Sequence, residues 1–177
     1  MSQKAIKIWR ILSNMLMGGV VLLAFLLMGI RLFGLQVYTV LSGSMEPDYP
    51  TGSLVYVKET DPAALENGDV ITFRMANGTV ATHRTVELVP DEEDPQTIRF
   101  RTKGDANEIV DGSLVGYDSV IGRVVFCLPL LGYLAAFIMQ PAGRIVTVAV
   151  ALILVLSEVM LSMLSEDKNQ NKKEKTL

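Results

Sequence analysis

Histidine, cysteine and tryptophan each occur once among the 177 residues, and that scarcity narrows the chemistry. The single histidine, His83, cannot build a histidine-based metal site without other ligand types. It can still serve as the one general base that a serine nucleophile needs. The single cysteine, Cys127, cannot close an intrachain disulfide. It stands in an apolar stretch with no basic residue or histidine beside it, which reads as a small buried hydrophobe rather than an activated thiolate. Cysteine-dependent hydrolysis is accordingly disfavoured.

Charge is also missing, in blocks. No Asp, Glu, Lys or Arg occurs in Ile11–Ile30, Val124–Gly143 or Ile145–Ser157, and half of the whole chain (50%) is hydrophobic. A helix rises ~1.5 Å per residue, so about 20 apolar residues cross the ~30 Å hydrocarbon core of a bilayer. The first block has that length, exceeds a typical signal-peptide core, and is followed by no small-residue cleavage motif, so it reads as an uncleaved anchor. The block Val124–Gly143 contains Pro129, Gly132 and Pro141, which break or kink helices, and reads as a last strand followed by an interfacial or domain-packing segment. Ile145–Leu164 reads as the second membrane helix. Glu158 is costly at a bilayer centre and is expected near the headgroups or against a partner helix.

Basic residues are scarce between these blocks. From Gly34 to Gly143 there are 15 Asp/Glu against 7 Lys/Arg, whereas Lys4, Lys7 and Arg10 precede the first block and Lys168, Lys172, Lys173 and Lys175 follow the last. Basic flanks stay on the cytoplasmic side. The expected organisation is therefore a cytoplasmic N-terminus (1–10), a transmembrane helix (11–33), an extracytoplasmic β-rich domain (34–143), a second transmembrane helix (144–164) and a cytoplasmic Lys-rich tail (165–177). An acidic domain with no basic patch argues against nucleic acid as a partner.

Strand signals fill the middle segment. Leu35–Val40, Ser53–Val57, Val70–Arg74, Thr79–Val86, Thr97–Thr102 and Ser119–Phe126 are alternating or rich in β-branched residues, with Gly, Asn, Asp and Pro between them. Asn77-Gly78 marks a hairpin. Asp91-Glu92-Glu93-Asp94-Pro95 reads as a solvated loop tip. The fold class expected is mainly β, an antiparallel sheet held between an N-terminal and a C-terminal membrane helix.

Within this frame, Ser42-Gly43-Ser44-Met45-Glu46-Pro47 forms a turn about ten residues beyond the first apolar block. Gly43 allows close backbone approach to Ser44, and Ser42 offers a second hydroxyl. His83 lies in the fourth strand between Thr82 and Arg84. Asp105 and Asp111 flank the turn Lys103-Gly104-Asp105-Ala106-Asn107, and a carboxylate there is able to accept from the imidazole and fix its tautomer. Lys58 and Lys103 are the only lysines of this middle segment and the only other candidate bases.

The order of these boxes, together with Gly68-Asp69-Val70-Ile71, Thr82-His83-Arg84 and Gly122-Arg123-Val124, resembles the type I signal peptidases. The histidine in the fourth strand points to the ER/archaeal branch, which includes bacterial SipW-type enzymes; the common bacterial branch has a lysine at that box. The resemblance implies Ser44 as nucleophile, His83 as general base, and the Ser42 hydroxyl with the Ser44 amide as oxyanion donors. It implies that both Asp105 and Asp111 matter, Asp111 orienting the imidazole and Asp105 in support. It further implies a membrane-bound serine endopeptidase that removes signal peptides through an acyl-enzyme, with no metal or organic cofactor. Its substrates would be secretory preproteins with small residues at −1 and −3, bound as an added strand at the outer surface of the cell membrane, near the translocon. Two other readings compete: a non-catalytic membrane-anchored β-domain scaffold, and a self-processing protease with a Ser/Lys dyad.

Overall fold

The computed structural model describes residues 3–91, 94 and 97–174. The chain forms two compact units, residues 1–26 with 138–177, and Leu27–Phe137.

The first unit is helical. Helix α1 runs from Gln3 to Leu27 and helix α3 from Pro141 to Glu174. Each contains a segment long and apolar enough to cross a membrane, Lys7–Leu27 and Pro141–Met160. Ser13, buried in α1, donates a hydrogen bond to the carboxylate of Glu158 in α3, so the acidic residue of the apolar run has a polar partner on the other helix. The helix expected over 11–33 both starts and stops earlier. It ends at Leu27, and Gly29–Phe33 form a 3₁₀ turn closed by Gly34 in the left-handed region at φ 73°. Glycine alone takes that conformation without a Cβ penalty, and it ends the helical run just before the first strand. At the other end, the expected tail 165–177 continues α3 as far as Glu174; Lys175 lies outside the described residues.

The second unit is a six-stranded antiparallel sheet: β1 (Leu35–Thr39), β2 (Leu54–Lys58), β3 (Val70–Arg74), β4 (Val80–Pro90), β5 (Ile98–Lys103) and β6 (Val120–Leu128). The strand order is β1-β2-β6-β3-β4-β5. β2 and β3 lie inside the sheet and are buried over four successive residues each, all apolar except Thr72. β1 and β5 are the edges. The Asn77-Gly78 hairpin is a three-residue connection: Gly78 N–H donates to Met75 O, Met75 N–H to Thr79 O, and Gly78 has φ 82°. In the β4–β5 loop, Glu92, Glu93 and Pro95 lie outside the described residues.

Two apolar clusters hold the sheet. One gathers Leu65, Ile71, Phe73, Phe100 and Val115; the other gathers Leu54, Tyr56 and Ala135, with Leu27, Leu35 and Leu128 against them. Ala135 comes from a short helix, α2 (Leu131–Met139), so the segment after β6 packs on the domain. Cys127 is half-buried rather than buried.

Gly132 sets how closely α2 approaches β2. A Cβ there would lie 2.5 Å from the carbonyl oxygen of Ser53 and 2.7 Å from that of Gly52, both backbone atoms that cannot swing away. Gly132→Ala is therefore expected to lift α2 from the sheet and destabilise the β unit by ~1–3 kcal/mol. Thermal unfolding of the detergent-solubilised chain checks this, and an unchanged midpoint would refute the packing role.

Candidate active site

The turn that carries Ser44 follows β1. Gly43–Met45 form one 3₁₀ turn, closed by Glu46 N–H to Gly43 O at 3.1 Å and followed by Tyr49 N–H to Met45 O at 2.9 Å. Met45 is buried (2% exposed), which anchors the turn in the core, while Ser42 is exposed and Ser44 half-buried. The Glu46–Pro47 bond is cis. The Glu46 carboxylate accepts from the Thr51 hydroxyl at 3.2 Å and lies over Gly43.

His83 reaches this turn from β4, whose register places it opposite Ile71 of β3. Its Nε2 is 3.2 Å from Ser44 Oγ and its Nδ1 is 2.6 Å from Asp111 Oδ2. A carboxylate only accepts, so Nδ1–H donates to Asp111, which leaves Nε2 as the acceptor for the Ser44 hydroxyl. Ser42 Oγ lies 3.2 Å from Ser44 Oγ. The imidazole meets the Phe73 ring edge-on at 6.3 Å between centroids, and its side chain is 15% exposed. Ser42, Ser44, His83 and Asp111 thus form one continuous hydrogen-bonded line drawn from three separate places in the sequence.

Asp105 stands beside this line, not in it. Its two oxygens accept from Arg84 Nε at 2.8 Å and Nη2 at 2.6 Å. Arg84 also donates to Asp48 at 3.1 Å and to Gly68 O at 3.0 Å. Hydrogen bonding to Asp105 raises the Arg84 pKa further above its ordinary value, against the opposing effect of partial burial, so the guanidinium is a fixed charge. The bidentate pair ties the turn after β5 to the strand that carries His83.

That turn touches Ser44 directly. Ala106 N–H donates to Ser44 O at 2.9 Å. A Cβ at Gly104 would come within 2.5 Å of the same oxygen. The close backbone approach expected at Gly43 is thus made at Gly104, because the carbonyl of Ser44 faces the β5 turn.

Sequence reasoning assigned no role to Thr102. Its fully buried hydroxyl donates to Asp111 Oδ2 at 2.6 Å, while Asp111 N–H donates back to Thr102 O at 2.8 Å. The available signal was parity: Phe100 and Thr102 share the inward face of β5, and an inward threonine needs a partner for its hydroxyl. Arg84 and Asp48 were likewise unassigned; Arg84 adjoins His83, but its partners are 16 to 36 residues away. Lys58 closes β2 and Lys103 closes β5, opposite Arg84. Among the described residues, no group of three or more His, Cys, Asp or Glu side chains converges as a metal site would require.

A Ser–His–Asp line is an arrangement that serine hydrolases use, and the chain is similar in sequence to signal peptidases. Residues 12–96 match the family described as signal peptidase, peptidase S26. The chain is 45% identical over 89 residues to signal peptidase I W of Bacillus subtilis, an alignment covering 50% of this chain and 45% of that protein. It is 31% identical over 104 residues to the human signal peptidase complex catalytic subunit SEC11C, covering 54% and 53%. It is 30% identical over 118 residues to SEC11 of Schizophyllum commune, covering 55% and 61%. The chain thus spans about half the length of the curated relatives it matches. The matched segment, residues 12–96, carries Ser44 and His83 and ends before Asp111.

Proposed function

We propose that this chain is a membrane-bound serine endopeptidase that removes N-terminal signal peptides from secretory preproteins. The observation that carries the proposal is the line Ser44–His83–Asp111, with separations of 3.2 Å and 2.6 Å, in a chain similar to signal peptidases.

In this reading Ser44 Oγ attacks the scissile carbonyl as its proton passes to His83 Nε2. Asp111 holds the imidazole in the productive tautomer and stabilises the imidazolium that forms. The Ser44 amide and the Ser42 hydroxyl are the donors for the oxyanion, each of a kind worth ~3 kcal/mol when removed elsewhere. The carbon–nitrogen bond then breaks and His83 Nε2 returns its proton to the leaving amine. Water, deprotonated by the same nitrogen, hydrolyses the Ser44 ester and frees the signal peptide. Asp105 acts through Arg84: it fixes the turn that contacts Ser44 O and touches no reacting atom.

The two apolar helices fit a bilayer as the second partner, and the basic residues at both ends favour a cytoplasmic location for each terminus. The β unit then lies on the extracytoplasmic side of the cell membrane, where a signal peptide presents its small −1 and −3 residues, close to the translocon. No metal or organic cofactor enters the mechanism.

The first test is processing of a secretory preprotein with an Ala-x-Ala site in membranes. Cleavage is expected from the unmodified chain, with losses of at least about 10³-fold for Ser44→Ala and His83→Ala. Retained cleavage in either variant would remove that residue from the mechanism. Asp111→Asn is expected to lower the rate by ~10³–10⁴-fold because an amide stabilises the wrong tautomer. Asp105→Asn is expected to cost about tenfold, with a lowered unfolding midpoint because Arg84 loses its charged partner; the reverse ranking would exchange the two roles. Thr102→Val is expected to slow cleavage by about three- to tenfold, because Asp111 loses the hydroxyl that helps fix its carboxylate beside His83. Thr102→Ser keeps the hydroxyl and should restore the rate.

A further inference from the structure

A groove of about 710 Å³ leads away from the back of the catalytic line. His83 and Asp111 stand in its lining. Phe73 and Ala81, paired across β3 and β4, belong to it, with Asn77 of the hairpin on one side and Leu114 and Gly116 of the 112–119 loop on another. Ser42 and Ser44 do not line it. The groove is thus continuous with the base and not with the proposed oxyanion donors.

That asymmetry has a chemical meaning. The nitrogen that takes the serine proton must later give it to the leaving amine, so the leaving group of the tetrahedral intermediate faces His83. The polypeptide after the scissile bond departs on the imidazole side, and the concavity that opens there is this groove. Its size fits a segment of a few residues. Its lining mixes apolar side chains with the polar groups of Asn77, Ser113 and Asp118, which suits a peptide of variable sequence.

We propose that this groove receives the first residues of the mature polypeptide, those immediately after the cleavage site, and so makes the rate depend on them. The inference rests on the serine endopeptidase reading given above, and it adds a second recognition surface beyond the small residues before the scissile bond. The loop that lines one side of the groove, 112–119, follows Asp111 and is held to β5 by the Phe100–Val115 bridge.

The test uses the full-length chain in detergent with two substrates that share their residues before the scissile bond. One continues for at least four residues beyond it; the other ends in a small fluorogenic amide and has nothing to place in the groove. Gly116→Phe is a suitable occluding variant. Gly116 has φ −73° and ψ 154°, open to any residue, and a Cβ there would meet only Ser119 Oγ, at 3.8 Å. Ala81→Leu narrows the groove from the strand side and provides an independent second variant. Both are expected to lower kcat/KM for the long substrate by about tenfold or more while leaving the fluorogenic amide within about twofold. Equal losses on the two substrates, or no loss on either, would overturn the groove assignment. If the unmodified chain cleaves neither substrate, the endopeptidase reading fails and the groove assignment fails with it.

Discussion

The pairing of β4 with β5 is the constraint on which the site depends. Neighbouring residues of a strand point to opposite faces, and His83 and Arg84 are neighbours on β4. One reaches Asp111 and the other Asp105, two acids of the same segment after β5. The register that places Arg84 opposite Lys103 and Thr85 opposite Thr102 therefore sorts two carboxylates between two bases. A slip of one residue would exchange faces and turn a guanidinium toward Ser44. Arginine stays protonated throughout the physiological range and cannot accept the serine proton. The buried side chains of Phe100 and Thr102 resist such a slip, because they would have to leave the interior together.

The same arrangement resolves an electrostatic conflict. The segment from Gly34 to Gly143 is acidic, and a carboxylate beside a serine nucleophile opposes the oxyanion that must form. Asp105, next to the turn that holds Ser44 O, is neutralised by a bidentate guanidinium. Asp111 keeps its charge for the imidazole, and Thr102 shares the oxygen that receives Nδ1–H. A hydrogen bond to a charged group is worth ~1.5–3 kcal/mol, enough to fix a ring orientation that rotation would otherwise lose. Asp105 thus pairs with Arg84, and Asp111 with His83 and Thr102, a division that follows from strand parity.

Much of the fold was legible in the sequence because it rests on local signals. The six strands declared themselves by β-branched runs between turn residues, and the apolar helices by their lack of charge. The end of α1 was not legible: a hydrophobic run continues through Leu32 and Phe33, and only the left-handed Gly34 and the 3₁₀ turn before it show where helix gives way. Ser44 and His83 stood out by residue type and order, while Asp111 was separated from Asp105 only by the resemblance to the signal peptidases. Thr102, Asp48 and the approach of Gly104 to Ser44 O could not, because each depends on two strands meeting at a particular register. Gly43 attracted the sequence argument for being adjacent to Ser44, although the crowded backbone contact is 60 residues away in the chain.

In the proposed mechanism this environment suits histidine, rather than lysine, as the base. A lysine base must be held neutral, which requires burial away from negative charge, since a nearby carboxylate favours the ammonium form. Position 83 offers the opposite: a carboxylate at 2.6 Å and a ring that still has some solvent contact. An ammonium drawn to Asp111 would remain protonated and could not take the proton of Ser44. An imidazole uses that carboxylate differently, because its two nitrogens separate the tasks. Nδ1 spends its proton on Asp111, which leaves Nε2 unprotonated toward the serine, and the positive charge appears only while the serine proton is in transit. The acidic partner that would disable a lysine is therefore what prepares the histidine, and Thr102 beneath Asp111 belongs to that preparation.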